Sequence, residues 1–185
     1  MGIPQRRHRE KLLYENEAVI ARVRARLSGA PADRLARRPA SGGWSVAEVL
    51  EHLIVSADSY LATLRSLIGE QRGGPVDGNA VWTPTIMGGL LAASLRSPRK
   101  LPAPRSYRPG PAPRSGASEE FLRRQEEVGR LIADAGTMDW RRVKMRSPVA
   151  PILRMNLGDA LTVLVVHAQR HAGQIERVLS EVENQ

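Results

Sequence analysis

The stretch Val163-Leu164-Val165-Val166-His167-Ala168-Gln169-Arg170-His171-Ala172-Gly173-Gln174-Ile175 decides the fold and the chemistry together. Its apolar residues recur at helical spacing, and His167 and His171 stand four residues apart inside it. On an α-helix, positions i and i+4 share a face one turn apart. Two imidazoles can then point at one metal ion. Ala168 occupies the place where an H-E-x-x-H zinc protease carries its glutamate, which speaks against that chemistry. A third ligand has to come from another segment, and helix bundles assemble such sites from facing helices.

Working outward, the pattern predicts four long amphipathic helices. Asn156, with Asp159 three residues on, caps the helix that carries the histidines. Its core face is Leu157, Ala160, Leu161, Leu164, Ala168, Ile175 and Val178, and it fades near Glu181. The third helix starts at Ser118, with Glu119 and Glu120 in its first turn, where the dipole favours acids. Phe121, Leu122, Val128, Leu131 and Ile132 form its apolar side, and Gly136 ends it. The second helix opens on a capping box, Ser45 with Glu48, with Trp44 placed to staple onto Val49. Its buried stripe runs Val46, Leu50, Leu53, Ala57, Tyr60, Leu61 and Leu64, and His52 lies two turns in, at the edge of that stripe. The first helix is expected from Arg7 to Ser28 on Leu13, Ile20, Val23 and Leu27, and Gly29-Ala30-Pro31 stops it.

Between the second and third helices the pattern breaks from Gly69 to Ala117, a stretch rich in Gly, Pro and Arg. Thr85 to Ser94 reads as a short helix. Leu101 to Pro111 reads as extended, proline-rich backbone. A connection this long can carry the chain back along the bundle, so that the second and third helices run parallel. Its apolar part, Val81 to Met87, is expected to cover core or pocket on the side of the histidines. The segment Asp139 to Pro148 reads as a partly extended link. The fold class is therefore all-α, a four-helix bundle with one long crossover, forming one domain over residues 1–185.

Composition sets the bounds. The chain has 185 residues and no cysteine, so metal ligands must come from His, Asp, Glu or water. No apolar leader opens it, and a soluble, cytoplasmic protein with no membrane partner is expected. The net charge of +9 is carried almost wholly by arginine, scattered among acids with no binding motif, so no specific nucleic-acid partner is expected. If the helices bearing His52 and the His167–His171 pair are neighbours, three neutral imidazoles converge and leave coordination positions open, as in catalytic sites. His8, in an arginine-rich terminus, reads as solvated.

Trp44-Ser45-x-x-Glu48-x-x-x-His52-Leu53, a long gap, then His167-x-x-x-His171-x-x-Gln174-Ile175 resembles the DinB/YfiT-like superfamily of metalloenzymes. Lys100 to Pro109, and Ser147-Pro148 followed by Asn156-Leu157-Gly158, resemble it too. The resemblance implies an up-down-down-up four-helix bundle with a divalent metal, zinc or nickel, on His52, His167 and His171. It also implies thiol-dependent chemistry, such as S-transfer, on a small molecule. With no cysteine in the chain, the thiol has to arrive as a low-molecular-weight cosubstrate. Hydrolysis by the same metal site is the alternative reaction, and a non-catalytic, stress-associated metal-binding bundle the alternative class. Arg170 is a candidate for holding a substrate carboxylate, against a solvated helix face. Gln174 is a candidate hydrogen-bond partner of a ligand or bound water, and Glu48 a candidate acceptor or base. The apolar breadth of the last helix, with Val163, Val165 and Val166 beyond one stripe, suggests a homodimer.

Overall fold

Two capping boxes open the two helices that carry the histidines. The computed structural model describes residues 2–99, 102–110 and 113–185. Its helices are α1 (Gln5–Leu27), α2 (Ala32–Ala36), α3 (Val46–Gly69), α4 (Ile86–Arg96), α5 (Ala117–Asp134) and α6 (Leu157–Glu183). At the start of α3 the Ser45 hydroxyl accepts from the Glu48 N–H, and the Glu48 carboxylate accepts from the Ser45 N–H. Asn156 and Asp159 make the same reciprocal pair at the start of α6. Each box satisfies amide donors that the helix cannot satisfy itself.

The long helices α1, α3, α5 and α6 form the bundle, and side-chain pairs give their directions. His8 meets Thr162, Arg22 meets Glu176 and Arg26 meets Glu183, so α1 and α6 run the same way. Glu51 meets Arg114, just ahead of α5, Asp58 meets Arg124 and Arg65 meets Glu127, so α3 and α5 run the same way. Asn16 lies on Gln125 while Arg9 lies over Gly136, so α1 and α5 are antiparallel. The crossover between α3 and α5 thus returns the chain along the bundle.

The apolar core has two parts. One gathers Tyr60, Leu61, Leu64, Trp140, Leu161 and Val165. The other gathers Val19, Val49, Leu53, Phe121, Ala168 and Ile175. Burying a Leu or Ile side chain contributes about 1.5–3 kcal/mol, so the bundle has a core of its own without a metal. His167 falls on α6 between Val165 of the first part and Ala168 of the second.

Two short two-stranded sheets close one end. Strand β1 (Ile3–Pro4) pairs with β2 (Val81–Trp82), and β3 (Lys144–Arg146) with β4 (Arg154–Asn156), both antiparallel. Strand β3 falls in the partly extended link, Asp139 to Pro148, of the sequence reading, and β4 lies beyond it. Between β2 and α4, Thr85 caps α4 by accepting from the Gly88 N–H. The Thr85 hydroxyl and N–H both donate to Asp159. Gly88 permits this approach, because a Cβ there would lie 2.2 Å from the Asp159 carboxyl carbon. No helix among the described residues is long and apolar enough to cross a membrane.

Several expectations are corrected here. The buried face of α1 is Leu12, Val19, Val23 and Leu27, with Gln5, His8 and Asn16 between them. Leu13 and Ile20 are only partly buried, so the stripe is rotated by one residue. Polar residues with distant partners hold that face. Gln5 donates to the Met138 carbonyl, and Asn16 to the Gln125 carbonyl. His8 is 5 % exposed, stacked on Trp82 at 4.2 Å between centroids, with Nε2 2.9 Å from the Thr162 hydroxyl. Thr162 spends its own proton on the Gly158 carbonyl, so the His8 ring donates. Trp82 is buried, yet Ile86 is 81 % exposed, so Val81 to Met87 covers core at one point rather than throughout. Val163, Val165 and Val166 are buried within the single chain, which removes them as a sign of a second copy. Of the proline-rich stretch, Lys100, Leu101, Pro111 and Ala112 lie outside the described residues.

Candidate metal centre

His52 reaches the centre from α3, and His167 and His171 from α6, which runs antiparallel to α3. The nitrogens they offer lie within 4.8 Å of one another, a grouping that can hold a metal ion. His52 Nε2 and His167 Nε2 are 3.1 Å apart. Two donors at about 2.05 Å from a tetrahedral ion stand roughly 3.3 Å apart, so the spacing fits with little adjustment.

The far sides of two rings are fixed. His52 Nδ1 is 2.6 Å from the Tyr107 carbonyl oxygen, which only accepts. That ring therefore carries its proton on Nδ1 and turns a lone pair inward from Nε2. His171 Nδ1 is 2.7 Å from Gln174 Oε1, and with the amide oxygen accepting, the same tautomer follows. Orientation of ligand imidazoles by an outer acceptor is the usual device of metal sites. Tyr107 is itself tied down, its hydroxyl donating to the Pro148 carbonyl at 3.1 Å.

Burial keeps the rings neutral. Desolvation lowers the pKa of His52, although the Tyr107 carbonyl works against it. His167 is driven well below the ordinary range by desolvation, then by the charges of His171, His52 and Arg170. His171 falls to about 3, first through desolvation and then through His52. Neutral imidazole is the form that ligates. Protons then compete for His167 and His171 only well below the usual histidine range.

The centre opens into a cleft of about 1330 Å³. Trp44 forms one wall, its ring 5.1 Å from that of His52. The crossover forms another, through Leu91, Leu95, Pro98, Pro102, Pro104 and Tyr107. The part of the crossover that covers the site is thus α4 and the segment after it.

The remaining sequence candidates separate. Gln174 bonds the His171 ring, a partner other than the ligand or water named for it from sequence. Glu48 is not at the centre. Its carboxylate takes the Ser45 N–H and a bidentate pair with Arg38, which holds its pKa below the ordinary value although burial opposes this. Arg170 is not a solvated face. Its guanidinium donates to the carbonyls of Leu95, Ser97 and Arg99, which closes the C-terminal end of α4 onto α6.

Sequence reasoning missed Tyr107, because its contribution to His52 is a backbone carbonyl and leaves no signature in residue type. It also passed over Arg177, which lines the cleft. The signal was available, since Arg177 follows Gln174 by three residues on the same helix face.

Two histidines one turn apart, a third on a facing helix and a long crossover over them form a recognisable set. The family model of the DinB superfamily matches residues 15–175. The chain belongs to the DinB superfamily. That match spans all three histidines of the DinB centre and the crossover above them. Comparison with curated proteins and with solved structures gives no match.

Proposed function

We propose that this DinB protein is a metal-dependent enzyme acting on a small molecule, with thiol-dependent S-transfer as its reaction. The observation that carries the reading is the joining of three inward-facing, neutral histidines to an open cleft. A buried structural site would need no such opening. Zinc and nickel both suit imidazole ligands. A bound dication there supplies Lewis acidity and lowers the pKa of a coordinated thiol toward neutrality.

The chain's own residues do the rest. The Tyr107 carbonyl and Gln174 hold the His52 and His171 rings in the ligating tautomer. Trp44 and the crossover prolines narrow the cleft and displace water from its walls. No side chain of this protein can serve as the attacking thiol, since it has no cysteine. The nucleophile therefore belongs to a second small molecule, which the size of the cleft accommodates beside an electrophile.

The test is turnover by zinc- or nickel-loaded protein of a panel of thiols with an alkylating electrophile such as chlorodinitrobenzene. A thiol-dependent rate lost in His171→Ala supports the reading. Thiol-independent ester or amide cleavage by loaded protein, lost in the same variant, establishes hydrolysis instead. Metal binding without turnover of either kind returns the protein to a metal-holding role.

A further inference from the structure

We propose that the cleft takes a carboxylate-bearing molecule whose carboxylate is held by Arg177, a reading that rests on the metal site described above. The argument starts from charge. Three neutral imidazoles do nothing to offset a bound dication. Among the described residues lining the cleft, Glu181 is the one acid, and it accepts from the backbone N–H and hydroxyl of Ser41. Arg96, Arg170 and Arg177 line the same space. That acid offsets one of the three positive charges, and the net positive charge left draws an anion.

Arg177 is the arginine placed to use that pull. The acids near it along α6 have other partners: Glu176 is paired with Arg22, Glu181 is held by Ser41, and Glu183 is paired with Arg26. Its side chain folds back along α6 by about one turn, with Nη1 3.5 Å from where a Cβ on Gly173 would stand. Arg177 is also among the charges that reach His171. Arg170 is less free for this role, because three of its five N–H donors go to carbonyls of the crossover. A guanidinium fork matches a carboxylate bidentately. A ligand with one carboxylate on Arg177 and a second donor toward the histidines spans the cleft.

Glutarate is the simplest probe, and glutaramide its uncharged counterpart. Zinc affinity is measured first by competition with a chelator, and each probe is then titrated calorimetrically into zinc-loaded protein. Glutarate is expected to bind at least about tenfold more tightly than glutaramide. Arg177→Ala is expected to weaken glutarate about tenfold or more, with zinc bound no less tightly and the melting temperature unchanged. Arg177→Lys is expected to recover part of the loss. Equal affinity for the two probes, or glutarate binding untouched in Arg177→Ala, overturns the proposal. A chain that takes neither zinc nor nickel overturns the metal reading, and this one with it, at the chelator step before either probe is added.

Discussion

His8 shows how much a single residue can hide. Desolvation drives its pKa from 6.5 to about 4, with the nearby Lys11 charge adding to the effect and Glu15 opposing it. The unfolded chain therefore binds the His8 proton before the folded chain does. Stability contributed by the neutral ring is complete above about pH 6.5 and is lost as the pH falls toward 4. Thermal melts across that window should show a falling midpoint, with a shallower fall in His8→Phe, which keeps a ring against Trp82 but cannot titrate. At the centre, Gln174→Ala removes the acceptor that orients His171 and should weaken zinc about 10- to 100-fold in chelator competition. Unchanged affinity would mean that the hydrogen bond at 2.7 Å plays no part in ligation. The spacing of His167 and His171 was legible from sequence because helix geometry alone puts them together. The solvated reading of His8 failed because its partners, Trp82 and Thr162, lie far away along the chain.

Among elements, the starts of α3 and α6 were readable to the residue, since capping boxes are local chemistry. The face of α1 was not. Apolar spacing favoured Leu13 and Ile20, but Gln5, His8 and Asn16 are buried on tertiary hydrogen bonds that a periodicity count cannot see. Asp159 has two tasks, capping α6 and accepting from Thr85 at the start of α4, and burial raises its pKa despite those bonds. Asp159→Ala leaves donors of both helices unmet and should destabilise the protein by about 2 kcal/mol or more in urea titrations. Arg170→Ala should act on the other end of α4. Residues 97–110 should then be cut faster by a protease of broad specificity, with the far-ultraviolet spectrum of the bundle unchanged. Equal cutting rates would show that the three carbonyl bonds do not hold the crossover.

For the whole molecule, the bundle was legible because long apolar stripes and one over-long connection leave few alternatives. What the crossover does was not, because it works through backbone groups and cap geometry. A metal joined to His52 on α3 and to two residues of α6 links helices that the core already packs, so its effect should add to stability rather than create the fold. Zinc at about a hundred times its dissociation constant should contribute about 2.7 kcal/mol, or a rise of roughly 5–10 °C in melting temperature for a chain of this size. His171→Ala should abolish that rise. The attachment of α4 has a different thermodynamic character. Its fully buried residues are Gly88 and Ala92, while Ile86 and Leu90 face outward at 81 % and 64 % exposure. It is fastened by polar hooks at its two ends, on Asp159 and Arg170, with Leu91, Ala92 and Leu95 packed inward between them. Lifting it uncovers those three side chains while the bundle core stays shut, so that opening carries a smaller heat-capacity change and a weaker denaturant dependence than unfolding of the whole chain. Amide exchange along α4 should therefore quicken less steeply in dilute urea than that of the slowest amides of α6, which exchange with the unfolding of the chain.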